Sequence, residues 1–267
     1  MSDNTLPDDK AVQESEERDP HDVAVDSNEQ PFLEHLIELR ARILRSVYTV
    51  LILFVPIYVF ANDLYEFVAA PLVAVLPEGS SMIATQVATP FLTPFKLAIY
   101  AAIFAGMPML LHQLWAFVSP GLYRHEKRFA IPLLASSVTL FYTGMAFVYF
   151  LVFPLVFAFF ASVTPDGAQM MTDINDYLDF VLKMFLAFGL AFEIPVATML
   201  LAWSGAATAE SMANKRPYVI VGCFIVGMLL TPPDVVSQLL LAMPMWVLFE
   251  LGVWMARFVE KREAAES

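Results

Sequence analysis

Phe117-Val118-Ser119-Pro120-Gly121-Leu122-Tyr123-Arg124-His125-Glu126-Lys127-Arg128 is a charged stretch pinched between two long apolar runs. Pro120-Gly121 cannot continue a helix, so the run before it stops there. The next run opens at Ile131-Pro132, where a proline fits the first helical turn. Arg124, Lys127 and Arg128 fill the gap, and Glu126 is the acid among them. A charged loop between two membrane-length runs reads as a receptor surface, with the runs holding it in place.

The 267 residues are 58% hydrophobic and 16% charged. Soluble domains use about 45–50% apolar and about 25% charged residues, so the class is a polytopic membrane protein. The net charge of -12 misleads unless it is located. Residues 1–30 hold ten acids against Lys10 and Arg18 and have little apolar periodicity. They read as a disordered acidic cytoplasmic tail. No basic segment followed by an apolar one precedes them, so no cleaved signal peptide is expected. Cys223 is alone, which excludes an internal disulfide and says nothing about compartment.

Outward from the loop the chain falls into six apolar runs. Phe32, Leu36, Leu39 and Ile43 recur at helical spacing opposite Glu34, Glu38, Arg42 and Arg45, which predicts an N-terminal interfacial amphipathic helix. It leads into a first span, Ser46 to Ala61, with Pro56 as a kink. Residues 62–90 read as an ordered external loop with a helical piece. Thr93 and Pro94 open a second span that reaches Val118. The third, from about Ile131 to Phe160, is longer than a ~30 Å hydrocarbon core and should protrude outside near Pro154. Residues 162–176 form a second external stretch. The fourth span runs from about Tyr177 to Trp203 with Pro195 inside it. The fifth, Tyr218 to Leu230, gives only ~20 Å of helix. Thr231-Pro232-Pro233-Asp234 turns the chain, Val235 to Phe258 is the sixth span, and 259–267 is a short charged cytoplasmic tail. The membrane domain is therefore 31–258, all-α, with six transmembrane helices and no internal repeat. All Lys and Arg except Lys96 and Lys183 fall on one side of it. The positive-inside rule then places both termini and the loop at 119–130 in the cytoplasm.

Glu193 lies about 16 residues into the fourth run, near the midplane. An ionisable group there usually faces a bundle interior or a wet cavity. Pro195 frees the carbonyl of Ala191 and favours a concave bend around it. The bland alternative is a protonated carboxyl bonded to a neighbouring helix. Lys183, four residues after Asp179, reads as an intrahelical ion pair, and Lys96 as a snorkelling cation one turn inside an outer end. Glu250 lies two turns from the inner end of the sixth span. Glu38 is either a plain i,i+4 partner of Arg42 or a recognition group, and Glu126 either a recognition group or part of a solvated charge run. The histidines show no metal-ligand spacing, and no phosphate loop or nucleophile elbow appears, so neither a cofactor nor enzymatic chemistry is expected.

Five motifs carry a resemblance: Phe32-x-x-His35-Leu36-x-Glu38-Leu39-Arg40-x-Arg42, the stretch 117–128, Ala191-Phe192-Glu193-Ile194-Pro195, Lys215-Arg216-Pro217-Tyr218 and Leu230-Thr231-Pro232-Pro233-Asp234. Together they resemble the TatC family, the multispanning subunit of the twin-arginine protein translocase, over residues 31 to about 258. The resemblance implies a glove-like concave bundle in the bacterial cytoplasmic membrane. It implies a receptor for signal peptides with two adjacent arginines, exporting folded proteins on the proton gradient with the single-span partners TatA and TatB in a multi-copy complex. It also implies a peptide site at Glu38, Arg40, Phe117, Tyr123 and Glu126, the Glu193 position on the concave wall, and partner-helix contacts at Met228, Thr231 and Gln238. Membrane lipid is the other expected partner, and nucleic acid is not one. A planar guanidinium pairs bidentately with a carboxylate as an ammonium cannot. Two acids on separate elements could therefore select arginine over lysine. The rival reading is a proton-coupled secondary transporter of a small solute with Glu193 as proton carrier, against which the lack of a repeat counts.

Overall fold

The computed structural model describes the backbone of residues 20–76, 81–118, 127–165, 171–231 and 235–266. Among them the chain is helical apart from turns and one isolated parallel bridge between Ile83 and Asp173. In chain order the helices are α1 Pro20–Val59, α2 Ala61–Val73, α3 Thr89–Ala105, α4 Met107–Val118 and α5 Lys127–Phe147. A π-helical turn, Val148–Val152, joins α5 to α6 Phe153–Val163. Then come α7 Ile174–Ala191, α8 Ile194–Trp203, α9 Ala209–Asn214, α10 Arg216–Leu230 and α11 Val235–Glu266.

Four segments are long and apolar enough to cross a membrane: Leu36–Val59, Ile131–Val163, Ile174–Trp203 and Val235–Phe258. The pair Thr89–Ala105 and Met107–Phe117, bent by 55°, makes a fifth if counted as one broken span. Helix α10 is apolar but only 15 residues long, ~22 Å against ~30 Å of hydrocarbon. A count of six rests on that short helix. The chain is an all-α, multi-pass membrane protein.

It divides into two compact units, Met1–Arg45 and Ser46–Ser267. In the first, the helix begins at Pro20 inside the acidic segment, and no break separates an interfacial helix from a first span. The sequence permits this, since no glycine or proline lies between Phe32 and Val55.

In the second unit, Ile174–Trp203 is the innermost span, with 56% of its most apolar window buried. Phe185 and Phe188 of α7 pack among Phe104, Phe147 and Phe153 from three surrounding segments. Small residues let the helices approach, because lipid supplies no hydrophobic drive between them. A Cβ on Gly144 of α5 would stand 2.6 Å from the carbonyl oxygen of Phe188, and one on Gly189 2.5 Å from the Phe141 ring. Gly252 of α11 is as tight against Thr198 and Pro195 of α8.

The second span departs from the expected single helix: it breaks at Gly106. The cause is Pro108, whose missing N–H deprives the carbonyl of Phe104 of its i+4 partner and leaves it a backbone N–H of the helix end instead. Tyr142 of α5 donates its hydroxyl to that carbonyl at 2.9 Å. The fourth span breaks where Pro195 predicts, with Phe192 and Glu193 between α7 and α8. Tyr149, in the π-helical turn, donates to the Phe67 carbonyl of α2 at 2.9 Å.

The polar end of α7 corrects two sequence expectations. Asp179 does not pair with Lys183. Lys96 of α3 donates to Asp179 at 2.6 Å and to Asn175 at 2.8 Å, so Lys96 is an interhelical partner rather than a snorkelling cation. Lys183 is exposed. The i,i+4 spacing competed with a tertiary partner that could also bond Asn175, and the tertiary partner won. Asp173 caps α7 by accepting from the backbone N–H groups of Asn175 and Asp176. It also accepts from the N–H and hydroxyl of Thr85, at 2.9 and 2.5 Å.

Candidate functional site

The predicted site residues fall into three groups. The first is on α1, in the N-terminal unit. Glu38 is exposed and accepts from Arg42 Nε at 3.0 Å and Nη2 at 2.5 Å, both on Oε1. Its other oxygen has no partner among the described residues. Arg42 thus holds the exposed carboxylate by one oxygen. Arg40 is exposed on the same helix. Beyond the first unit, Phe117 lies half-buried in the last turn of α4. Tyr123 and Glu126 lie outside the described residues.

The second group surrounds Glu193. The break at Pro195 puts this residue at the N-cap of α8, where its carbonyl still accepts from Ala197. The side chain is 7% exposed. Neither carboxyl oxygen accepts a hydrogen bond of ordinary geometry from the described residues. The hydroxyl of Ser137, on α5, faces it without making such a bond. Ser137 is fully buried, and its oxygen accepts the indole N–H of Trp115 at 3.0 Å. The sequence singled out Glu193 by depth, but Trp115 and Ser137 carried no local signal.

The third group stands at the α10–α11 turn. Met228 is exposed, Thr231 is buried and Gln238 is half-buried. The Thr231 hydroxyl donates to the Gly227 carbonyl at 2.9 Å. A Cβ on Gly227 would lie 3.5 Å from the Gln238 carbonyl. The three residues therefore gather around Gly227, but only Met228 offers a wholly open side chain.

Two further features were not legible in the sequence. Arg216 grips Glu250 with both Nε and Nη2, one donor to each oxygen, tying α10 to α11. Glu250, considered earlier as a lone inner-end acid, is thus paired. An apolar groove of about 340 Å³ runs between the π-helical turn and the start of α11, lined by Phe147, Leu151, Leu155, Leu239 and Met243.

Comparison with known proteins was made against this geometry. Residues 34–244 match the family model described as Sec-independent protein translocase protein (TatC). The chain is 62% identical over 235 residues to a TatC from Azotobacter chroococcum, covering 88% of this chain and 92% of that one. To the TatC of Escherichia coli K12 it is 55% identical over 229 residues, covering 86% and 89%. Among solved structures, a crystal structure of the twin-arginine translocase receptor TatC superposes with a TM-score of 0.77 at 35% identity. That match covers 84% of this chain and 98% of the solved one. With sequence and fold agreeing over nearly the whole membrane domain, the chain belongs to the TatC family of Sec-independent protein translocase proteins.

Proposed function

We propose that this chain is the receptor and core subunit of a twin-arginine translocase in a bacterial cytoplasmic membrane, with both termini cytoplasmic. It binds the arginine pair of a signal peptide through Glu38 and Glu126, with Arg40, Phe117 and Tyr123 alongside. The peptide's apolar segment lies against the membrane-facing surface. TatA- and TatB-type single-span helices pack at Met228, Thr231 and Gln238, and several copies assemble to export folded proteins on the proton gradient. It is a translocation subunit, not an enzyme.

The observation that carries this reading is the family match from 34 to 244, which takes in four of the five motifs whole and the first from His35 onward. The geometry of Glu38 supports it. Arg42 orients the exposed carboxylate by one oxygen and leaves the second to accept from a peptide guanidinium. The net basic charge of the surrounding loops repels a basic peptide at range, so recognition depends on contact.

A binding titration of Arg-Arg against Lys-Lys signal peptides on the full-length protein tests it. Arg-Arg should bind more tightly by tenfold or more, since the fork geometry is worth roughly 1.4 kcal/mol or above. Glu126→Ala should abolish photocrosslinking of the Arg-Arg peptide, and Glu126→Gln should impair it. Equal affinity for both peptides, or crosslinking indifferent to both substitutions, removes these acids from the site.

A further inference from the structure

Glu193 is the one acid at membrane depth in the fourth span, and Ser137 of α5, itself held by Trp115 of α4, stands across from it. On α5, Ser136 donates to the Leu133 carbonyl at 2.7 Å, Thr139 to Ala135 at 2.8 Å and Thr143 to Thr139 at 2.7 Å. This back-bonding is the usual fate of a hydroxyl on an apolar helix. Ser137 departs from it. Its hydroxyl makes no such bond to its own helix, and its oxygen is taken by the indole N–H of Trp115 at 3.0 Å. An indole can only donate, so it fixes the serine oxygen as acceptor and turns the hydroxyl proton away from itself. Across from it stands the carboxyl of Glu193: α5 meets α7 with Phe141 against Gly189, and Ser137 and Glu193 each lie four residues further toward the same end. Neither carboxyl oxygen takes a hydrogen bond of ordinary geometry from the described residues.

Three helical segments meet in this chain: Trp115 on α4, Ser137 on α5, and Glu193 between α7 and α8. All three side chains are buried, at 9%, 0% and 7% exposure. Helix α4 leads directly into the 119–126 stretch and α5 leads directly out of it. The Trp115–Ser137 bond therefore ties together the two helices that carry that stretch.

We propose that Ser137, aimed by Trp115, is the positioning residue for Glu193, and that displacement of α4 against α5 switches it. While the indole holds the serine oxygen, the hydroxyl stays off its own helix and faces the carboxyl. When the indole withdraws, the hydroxyl is free to rotate back to a carbonyl of its own helix, as its neighbours on α5 do, and Glu193 loses the hydroxyl that faces it. Two discrete arrangements of one side chain supply the bistable element that coupling between distant sites requires. The inference rests on the proposed reading of 119–126 as part of the peptide site and of Glu193 as a transport group.

The test is the rate at which a hydrophobic carbodiimide modifies Glu193 in the full-length protein in membrane vesicles, read by mass spectrometry. It is measured with and without an Arg-Arg signal peptide, alongside photocrosslinking of the peptide and cargo transport. In the unmodified protein the peptide should change the rate by roughly fivefold, the low end of ordinary coupling between sites. Ser137→Ala and Trp115→Phe should each abolish that change and lower transport while peptide crosslinking persists. Retention of crosslinking distinguishes lost positioning from lost folding. A response that survives in both variants, or its absence in the unmodified protein despite crosslinking, overturns the proposal. Failure of the unmodified protein to crosslink the peptide overturns the receptor reading and the coupling with it.

Discussion

Gly144→Ala should unseat α5 from α7. The new Cβ would stand 2.6 Å from the Phe188 carbonyl oxygen and 2.9 Å from the Phe192 ring, whereas ordinary contact begins near 3.4 Å. The aromatic ring can turn, but the carbonyl belongs to the backbone of the innermost span. The two helices must therefore part by about 0.8 Å, taken from the difference of those distances, or the Phe188 peptide must tilt. Overpacking of this kind costs about 1–3 kcal/mol, roughly a 5- to 150-fold loss in the folding equilibrium. Reversible unfolding in mixed micelles, followed by tryptophan fluorescence, measures it. Gly222→Ala on α10 is the control, because nothing lies within 4 Å of its Cβ; there the gain in helix propensity, up to ~1 kcal/mol, should leave stability equal or higher. Gly144 is two turns beyond Ser137 on the same face of α5, so the separation should also loosen the hold on Glu193 and lower transport. If Gly144→Ala is no more destabilising than Gly222→Ala, the close approach of α5 and α7 is wrong, and the argument for Ser137 falls with it.

Glu193→Ala should retain peptide binding and weaken transport; loss of binding with normal partner assembly would refute that division of labour. The Asp173 carboxyl is held down to about 2 from an ordinary 3.8, chiefly by the Thr85 hydroxyl and then its N–H. Because the folded value is the lower one, its ionised form steadies the 83–85 contact with α7 above about pH 4, and that support drains away as pH falls toward 2. Amide exchange at Thr85 should rise over that interval, and Asp173→Asn should remove the pH dependence. Lys96→Met should destabilise more than Lys183→Met, since only Lys96 bonds Asp179 and Asn175; equal effects in the same unfolding assay would contradict the pairing. The Arg216–Glu250 pair is over a third exposed on each side, so solvent screens it, either single charge reversal should destabilise only slightly, and the double exchange should recover most of the loss.

The sequence by itself determined the class, the family and most of the span boundaries. Apolar runs of membrane length separated by proline-rich turns leave few alternatives, because backbone polar groups in lipid must be satisfied within each helix. It also located Glu193, since an ionisable residue at that depth needs no tertiary information to stand out, and Pro195 marked the break beside it. Pro108 held the same kind of signal for the bend at Gly106, and Asp173 had the spacing of an N-cap; both were legible and were missed. Only the tertiary structure decided which partner each polar side chain took. Asp179 had only Lys183 within reach of a sequence rule, and helix packing gave it Lys96 instead. The link from Trp115 to Ser137 crosses 22 residues and obeys no periodicity. It exists because α4 packs against α5, while Gly144 and Gly189 separately let α5 approach α7 closely enough to bring that serine opposite the buried acid. Periodicity is a property of one helix, whereas a hydrogen bond between helices depends on how several of them pack.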